Sequence, residues 1–575
     1  MRKKKIKFFK NKFLPLLTAI LLITAFSCPL RELKIPKPPA DRHKPFDFIG
    51  RKGMVVAAHP LAAEAGLEML RKGGNAIDAA VATAFALNVC EPFASGIGGG
   101  GFMVVYIASE RKVIVLNFRE KAPSQVSPEI FDEEGKTKTQ GLAVAVPGAL
   151  AGWTHALNTY GTKKLSEVMQ RALSLAEEGF PVSKTFSLIN KDEYEKLILN
   201  AGELTCYLNK GFPYEPGERL RNPDLAQTFK TIALKGVDEF YTGKIARKIV
   251  QAVKDKGGVI TLQDLALYEP VEQEPLKGIY KDYTLYTLPP PSSGGLHIIQ
   301  LLNMLENWPV KKWGQNSSPY IHHFCEALRF VFADRARYLG DPDYISIPVD
   351  ELISKNYATR IVSLIKPDHT LDSYPYGKFK EKKNTKGNTT HVCVIDKEGN
   401  IVSLTQSINY FFGSGIVPKN TGFLLNNLMY DFSSDPSSPN VPLPHRQPVS
   451  SMGPLILFKK EHPFLVLGSP GGTRIFSSLT QIIINITDFD MSLDEAIEAP
   501  RFFTYSSMGK AKRISFESRI PEIIIESLKK IGHDINVRKA FDKYFGGAQG
   551  ILILKEKNII LGGADSRRDG YGAGY

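Results

Sequence analysis

Hydrophobic and polar positions along this chain repeat with two different periods. Around residue 390 the period is that of strands. Thr389-Thr390-His391-Val392-Cys393-Val394-Ile395 and Ile401-Val402-Ser403-Leu404-Thr405-Gln406-Ser407-Ile408-Asn409 are β-branched runs on either side of a Glu-Gly-Asn turn, which predicts a hairpin. A polar, lysine-rich segment with no hydrophobic period, 380–388, leads into it. Nearer the start, 53–60 predicts a short buried strand, and Leu61 to Lys72 a helix stopped by Gly73-Gly74. Residues 75–89 predict a helix with small residues all round, so one sandwiched inside the protein. A glycine-rich run, 95–101, feeds a strand ending near Tyr106, and Val113 to Phe118 is a second strand. The chain is then largely helical from 146 to about 260, most clearly amphipathic over 165–178. A strand at 280–288, helices at 296–306 and 320–339, strands at 455–458 and 464–468 and a helix after Arg474 follow. Helices alternating with two sheet-forming blocks predict a layered α/β architecture, with no tandem repeat and one break in the pattern, at 366–388.

With 575 residues the length allows two to four units. The formal net charge of +14 suggests a nucleic-acid partner until its distribution is considered. Seven of those charges, Arg2, Lys3, Lys4, Lys5, Lys7, Lys10 and Lys12, lie in residues 1–27, which hold no acid. The surplus of seven that remains is spread over more than five hundred residues, which is no nucleic-acid footprint. The basic start is followed by an apolar run, Phe13 to Phe26, shorter than the ~20 residues a helical span needs, so 1–28 reads as an export signal. Ser27-Cys28 looks like a lipoprotein cleavage site, with Cys28 as the lipidated N-terminus, but Ala25 stands where Leu is usual. Lipoprotein and plain secretion both stay open, giving a periplasmic or extracellular location. Residues 29–50, rich in proline, read as a linker.

Cys90 and Cys393 sit in apolar runs and read as buried small hydrophobes; with Cys206 and Cys325 they are too widely spaced for a disulfide framework. No C-x-x-C and no H-E-x-x-H occurs, so neither a metal nor any other cofactor is expected. The glycine run lacks phosphate-loop spacing and precedes a strand, so it predicts backbone packed too closely for any Cβ. Arg119, at a strand end, has two readings: a carboxylate-binding arginine or a partner for a neighbouring acid. The hairpin also has two. Thr389 is an ordinary strand residue, or the chain is cut before it and the new N-terminal threonine carries its own base, the α-amino group.

Taken together, the motifs decide between these. Gly73–Ala80, the run 95–103, Phe118-Arg119-Glu120, Val146-Pro147-Gly148 and Pro290-Pro-Ser-Ser-Gly-Gly295 lie in the first two-thirds of the chain. Thr389-Thr390-His391, Leu425-Asn426-Asn427, Asp431-Phe432, Ser450-Ser451-Met452, Gly468-Ser-Pro-Gly-Gly472 and the final stretch Ala564–Tyr575 follow. In this order, over roughly 50–575, they resemble the γ-glutamyltransferase (γ-glutamyl transpeptidase) family of N-terminal-nucleophile hydrolases.

The resemblance implies an α+β fold, a four-layer αββα sandwich. It also implies a chain that cuts itself between Asn388 and Thr389 into a large subunit, 51–388, and a small subunit, 389–575, which stay associated. Thr389 would attack γ-glutamyl amides, and Gly471 and Gly472 would supply the oxyanion hole. Arg119, Ser450 and Ser451 would take the α-carboxylate and Asp431 the α-ammonium. Ser407 and Asn409 would orient nucleophile and substrate, Thr390 would support the nucleophile, and His391 has no role. Donors would be glutathione and related γ-glutamyl compounds; acceptors would be water, amino acids or dipeptides.

Two departures bear on the substrate. Leu428 and Tyr430 stand where many members are polar or acidic, which loads ammonium binding onto Asp431. Residues 432–449 are short and hold no Tyr, which implies an open cleft without an aromatic lid, able to admit γ-glutamyl peptides or polymers. A cephalosporin (glutaryl) acylase on the same fold is the alternative, and an inactive surface or binding protein a more distant one.

Overall fold

The hairpin forms, and it lies at the centre of one of two sheets. The computed structural model describes residues 46–131, 140–203, 205–372, 388–505 and 513–575. The export signal with Cys28, most of the linker and the lysine-rich tail before Asn388 lie outside the described residues. All described residues fall in one unit, fewer than the length allows. None of their helices is long and apolar enough to cross a membrane.

The first seven-stranded sheet runs β1 (Phe48–Gly50), β18 (Ile559–Ala564), β17 (Gln549–Leu554), β13 (His462–Gly468), β12 (Leu455–Lys459), β9 (Tyr283–Thr287) and β8 (Leu276–Tyr280). The second runs β19 (Tyr571–Gly574), β2 (Met54–Ala57), β10 (Thr390–Ile395), β11 (Ile401–Ser407), β3 (Gly100–Ile107), β4 (Lys112–Phe118) and β7 (Val271–Gln273). Outside them, β5 (Phe180–Pro181) pairs with β6 (Arg219–Leu220), and β14 (Phe502–Thr504), β15 (Arg513–Glu517) and β16 (Asp534–Arg538) form a small third sheet. The predicted strand at 280–288 forms as β9, and it is the second arm of a hairpin whose first arm, β8, precedes the predicted range; the chain turns between them at Lys281, which has a φ of +53°. The amphipathic stretch 165–178 is two helices, Leu165–Val168 and Gln170–Glu178, meeting at Met169.

Between the two large sheets lies an apolar layer that includes Val56, Phe102, Val104, Cys393, Ile401, Ile456, Val466 and Ile551. Helices cover the outer faces. Ala76–Cys90 packs on β10 and β11 and is buried on every side, as its small residues require; Asn75 caps it reciprocally with Asp78. Ser293–Leu305, Ser318–Tyr338 and Ile475–Thr487 build the apolar layer over the first sheet. The order is helix, sheet, sheet, helix.

The segments on either side of Asn388 interleave. In the second sheet β10 and β11 come from beyond Asn388, and their neighbours β2 and β3 from before it; in the first, β1 and β9 flank four strands from beyond it. A cut at Asn388 therefore leaves both sheets intact, because every ladder is held by hydrogen bonds and not by the junction.

The glycine run is explained by this pairing. Gly101 lies opposite Gln406 in β11, and a Cβ on it would come within 2.2 Å of the Thr405 carbonyl oxygen. Gly101→Ala must then push β3 from β11. In a chain kept intact by Thr389→Ala, it is expected to lose about 1–3 kcal/mol in urea denaturation, the usual range for overpacking; an unchanged midpoint would contradict this packing.

Candidate active site

At the end of the β10–β11 ladder, one step beyond the pair Thr390–Gln406, lies the junction Asn388–Thr389. It is buried, with 1% and 4% exposure for the two residues. The Asn388 carbonyl accepts a hydrogen bond from Ser407 Oγ at 2.5 Å, while that hydroxyl accepts from the Asn409 N–H at 2.7 Å. The Asn388 N–H donates to the Asn409 carbonyl at 2.6 Å. Asn409 itself has a φ of +75°, a conformation asparagine tolerates better than most residues.

Asn409 also leads to the charged part of the site. Its side-chain Nδ2 donates to Asp431 Oδ1 at 3.1 Å and to the Asn427 carbonyl at 3.1 Å. The other carboxylate oxygen, Oδ2, pairs with Arg119 Nη2 at 2.8 Å. Arg119 is buried at the end of β4, and its fork is further held by the carbonyls of Pro448, at 3.2 Å, and Val449, at 3.3 Å. Of the two sequence readings of Arg119, the structure shows the pairing with an acid, and that acid is Asp431. The register explains the convergence. Ser407 lies opposite Gly100 and Gly101 opposite Phe118, so Thr389, Ser407, Gly100 and Arg119 form one row across four strands.

A second loop approaches the start of β10 from the first sheet. Gly468, the last residue of β13, lies so close to the His391 ring that a Cβ there would come within 2.1 Å. Ser469 to Gly472 follow directly, with φ of +141° at Gly471 and +58° at Gly472, values that favour glycine. Gly471 approaches Gly546, and Gly547 lies against the Arg568 side chain, whose Nη1 reaches the Thr389 carbonyl at 2.9 Å. Ser450 is buried and its hydroxyl accepts from the Met452 N–H at 3.1 Å, while Ser451 is half-buried. Ser293 donates to the Ser450 carbonyl through both its N–H, at 2.8 Å, and its hydroxyl, at 2.7 Å, so the Pro-Pro-Ser-Ser motif buttresses the Ser450-Ser451 turn.

Several expectations gain detail. The Thr390 hydroxyl lies beside the Glu91 carboxyl, and successive strand residues face opposite ways, so any support it gives Thr389 passes through the backbone. His391 is fully buried between Thr405 and Cys393, and burial pushes it down to about 3, a neutral packing residue. Leu428 points into an apolar cluster with Ala122, Val126, Phe131 and Phe432. Sequence reasoning gave no role to Glu120, Glu91 or Arg568. Burial pushes the Glu120 carboxyl up to about 8 despite neighbouring Arg119, with Asp431 adding to the rise, and both its oxygens lack a hydrogen-bond partner among the described residues. Burial likewise raises Glu91 to about 8, against the pull of Arg568. The adjacency of Glu120 to Arg119 was the available signal; nothing local distinguishes Arg568 from its neighbour Arg567.

One trio among the described residues, His322, Glu326 and His533, has the spacing of a metal site. Its ring nitrogens are engaged instead. His322 Nε2 meets the Lys366 carbonyl at 2.7 Å, His322 Nδ1 meets His533 Nε2 at 2.9 Å, and Glu326 is paired with Arg329. A second cation beside a buried guanidinium is unfavourable, so the trio reads as a hydrogen-bonded chain.

A family model described as gamma-glutamyltranspeptidase matches residues 62–575. The chain is 39% identical over 582 aligned positions to the glutathione hydrolase proenzyme of Bacillus subtilis (strain 168), covering 97% of this chain and 98% of that protein. It is 36% identical to the glutathione hydrolase proenzyme of Escherichia coli (strain K12), with 97% and 98% covered. Among solved structures, cephalosporin acylase from Bacillus halodurans superposes with a TM-score of 0.82 at 30% identity, covering 95% of this chain and 99% of that one. With a site built on a buried strand-end threonine and a charge pair, and similarity that runs the length of the fold, this chain belongs to the gamma-glutamyltranspeptidase family.

Proposed function

We propose that the chain is a γ-glutamyltransferase/hydrolase of the glutathione hydrolase type, which first cuts itself before Thr389. The observation that carries this is the Arg119–Asp431 pair, tied through Asn409 to the Asn388–Thr389 junction. In the first step Thr389 Oγ attacks the Asn388 carbonyl carbon. The Ser407 hydroxyl, already donating to that carbonyl oxygen, stabilises the charge that develops there. The C–N bond breaks, the nitrogen takes the proton the hydroxyl gives up, and water hydrolyses the resulting ester. Asn388 leaves as a carboxylate and Thr389 gains a free α-amino group.

That amine titrates near about 7.7–8.0, suited to act as the base in turnover. It accepts the hydroxyl proton as Oγ attacks the γ-carbonyl of the donor, Gly471 and Gly472 N–H groups receive the oxyanion, and the amine product leaves with the proton. The γ-glutamyl ester then passes to water or to an acceptor amine. The α-ammonium and α-carboxylate of the donor slot between Asp431 and Arg119 and exchange one ion pair for two, so neither buried charge is left alone. Ser450 and Ser451 add donors to the carboxylate. Leu428 is turned into the core, so ammonium recognition rests on Asp431 and Asn409.

The 432–449 segment supports an open cleft. It is tied to Ala122, whose N–H donates to the Arg446 carbonyl at 2.8 Å and whose carbonyl accepts from the His445 N–H at 3.0 Å. The Tyr410 and Tyr430 rings, 5.6 Å apart, supply aromatic surface beside Asn409 and Asp431. Donors larger than glutathione, such as γ-glutamyl peptides or polymers, fit this arrangement, with amino acids or dipeptides as acceptors. The basic, apolar N-terminal segment supports export, with Cys28 as a candidate lipidated terminus.

Mass spectrometry of the purified protein is expected to give two chains, the smaller beginning at Thr389, and one uncut chain from Thr389→Ala; an uncut wild type overturns the reading. The mass of the larger chain's N-terminus tests lipidation at Cys28. Asp431→Asn is expected to lower kcat/KM for γ-glutamyl-p-nitroanilide on the order of 10²-fold, the scale for truncating a buried charge partner, and to spare a glutaryl analogue. A wild-type preference for the glutaryl compound would favour the acylase reading. Glu120 gives a pH dependence. Its protonated form contributes stability fully present below pH 4.5 and lost as pH rises through about 8. In the uncut Thr389→Ala chain, Glu120→Gln is therefore expected to flatten the fall of Tm over that interval; parallel curves would contradict it.

A further inference from the structure

The final stretch, 564–575, marks the family but has no part in the reaction as described so far. It is the crossover between the sheets, from β18 in the first to β19 in the second. Both ends of the turn are anchored. Buried Asp565 receives the Ala548 N–H at 2.8 Å, Arg501 Nη2 at 2.7 Å, and the Arg567 N–H and Nη1 at 3.0 and 3.1 Å. Arg567 Nε in turn meets Glu517 at 2.6 Å. At the other end Asp569 accepts the hydroxyls of Ser183, at 2.6 Å, and Thr185, at 2.9 Å.

Arg568 stands between these anchors, buried, with Glu91 3.9 Å away as counter-charge. Its Nη1 donates to the Thr389 carbonyl at 2.9 Å and its Nη2 to the Asn388 side-chain carbonyl, Oδ1. One rigid fork therefore holds the residues on both sides of a single peptide bond. We propose that Arg568 is a positioning residue for self-cleavage, fixing Asn388 and Thr389 in the geometry from which the Thr389 hydroxyl attacks; this rests on the reading of that bond as the cleavage site. Arg568 exchanges no atoms in the step. The Oγ–C bond forms, the C–N bond breaks and the proton passes to nitrogen as described above, and Arg568 limits the rotations that would move Oγ out of line with the carbonyl carbon. The planar pair of N–H groups is what spans two oxygens; a lysine ammonium is a point charge on a flexible stem and holds them less rigidly.

The test follows conversion of freshly purified full-length chain into two fragments by gel and intact mass, for wild type, Arg568→Gln, Arg568→Lys, Asn388→Ala and the double variant Arg568→Gln/Asn388→Ala. Arg568→Gln is expected to slow cutting about tenfold or more. Arg568→Lys is expected to fall between it and wild type, with a near-ultraviolet circular dichroism spectrum like that of the wild type. The double variant is expected to be no slower than the slower single one, because both remove the same contact. Added guanidinium ion is expected to accelerate Arg568→Gln and to leave wild type unchanged, a rescue that a purely structural role would not produce. If Arg568→Gln is not recovered folded, Arg568→Lys carries the test. Wild-type cutting rates in the Arg568 variants, or fully additive effects in the double variant, overturn the proposal. A wild-type chain that stays whole, or is cut elsewhere, overturns the reading of the junction instead.

Discussion

The pairing register of β10, β11, β3 and β4 is the constraint on which the site depends. Four strands from separate parts of the chain must align so that Thr389, Ser407, Gly100 and Arg119 fall in one row. A slip of one residue in any ladder would turn alternate side chains to the other face and separate nucleophile from charge pair. The glycine run secures the register by steric exclusion, since no residue with a Cβ fits at Gly101 against the β11 backbone. The same interleaving of strands lets the chain be cut at a buried junction without coming apart.

Charge is arranged around that row with little solvent. Arg119 and Asp431 pair with each other, with Asn409 also on Asp431 and the Pro448 and Val449 carbonyls also on Arg119. Glu120 and Glu91, each beside one arginine of the site, are raised to about 8 by burial. A neutral carboxyl at Glu120 leaves Asp431 as the ionised partner of Arg119. An ionised Glu120 would compete for it.

Recognition and self-cleavage draw on different donors. In the proposed cut, the carbonyl that develops charge is the one to which Ser407 donates; in the proposed turnover, the Gly471-Gly472 backbone takes that part. Asn409 links the two regions, with its backbone on Asn388 and its side chain on Asp431. Cephalosporin acylase from Bacillus halodurans shares this fold, so the architecture by itself does not select the substrate.

Much of this was legible in the sequence. The hairpin, the wholly buried helix after Asn75, the close-packed glycines and the family motifs could all be read along the chain, because period, small residues and turn chemistry act over a few positions. The strand at 280–288 forms, but its partner β8 was not legible, since Leu276–Tyr280 is a short edge strand holding Lys277 and Gly278. Which motifs touch was decided only by the tertiary structure. Ser293 braces Ser450 from 157 residues away, Leu428 and Met429 face the core while nearby Asp431 pairs with Arg119, and Arg568 reaches Asn388 and Thr389 from the crossover between the two sheets. The sequence determined that Thr389 begins a strand and that Arg119 ends one. That the two share a row, with Asp431 paired to Arg119, depends on strand register and sheet crossovers, which are set by long-range pairing and leave no mark in local pattern.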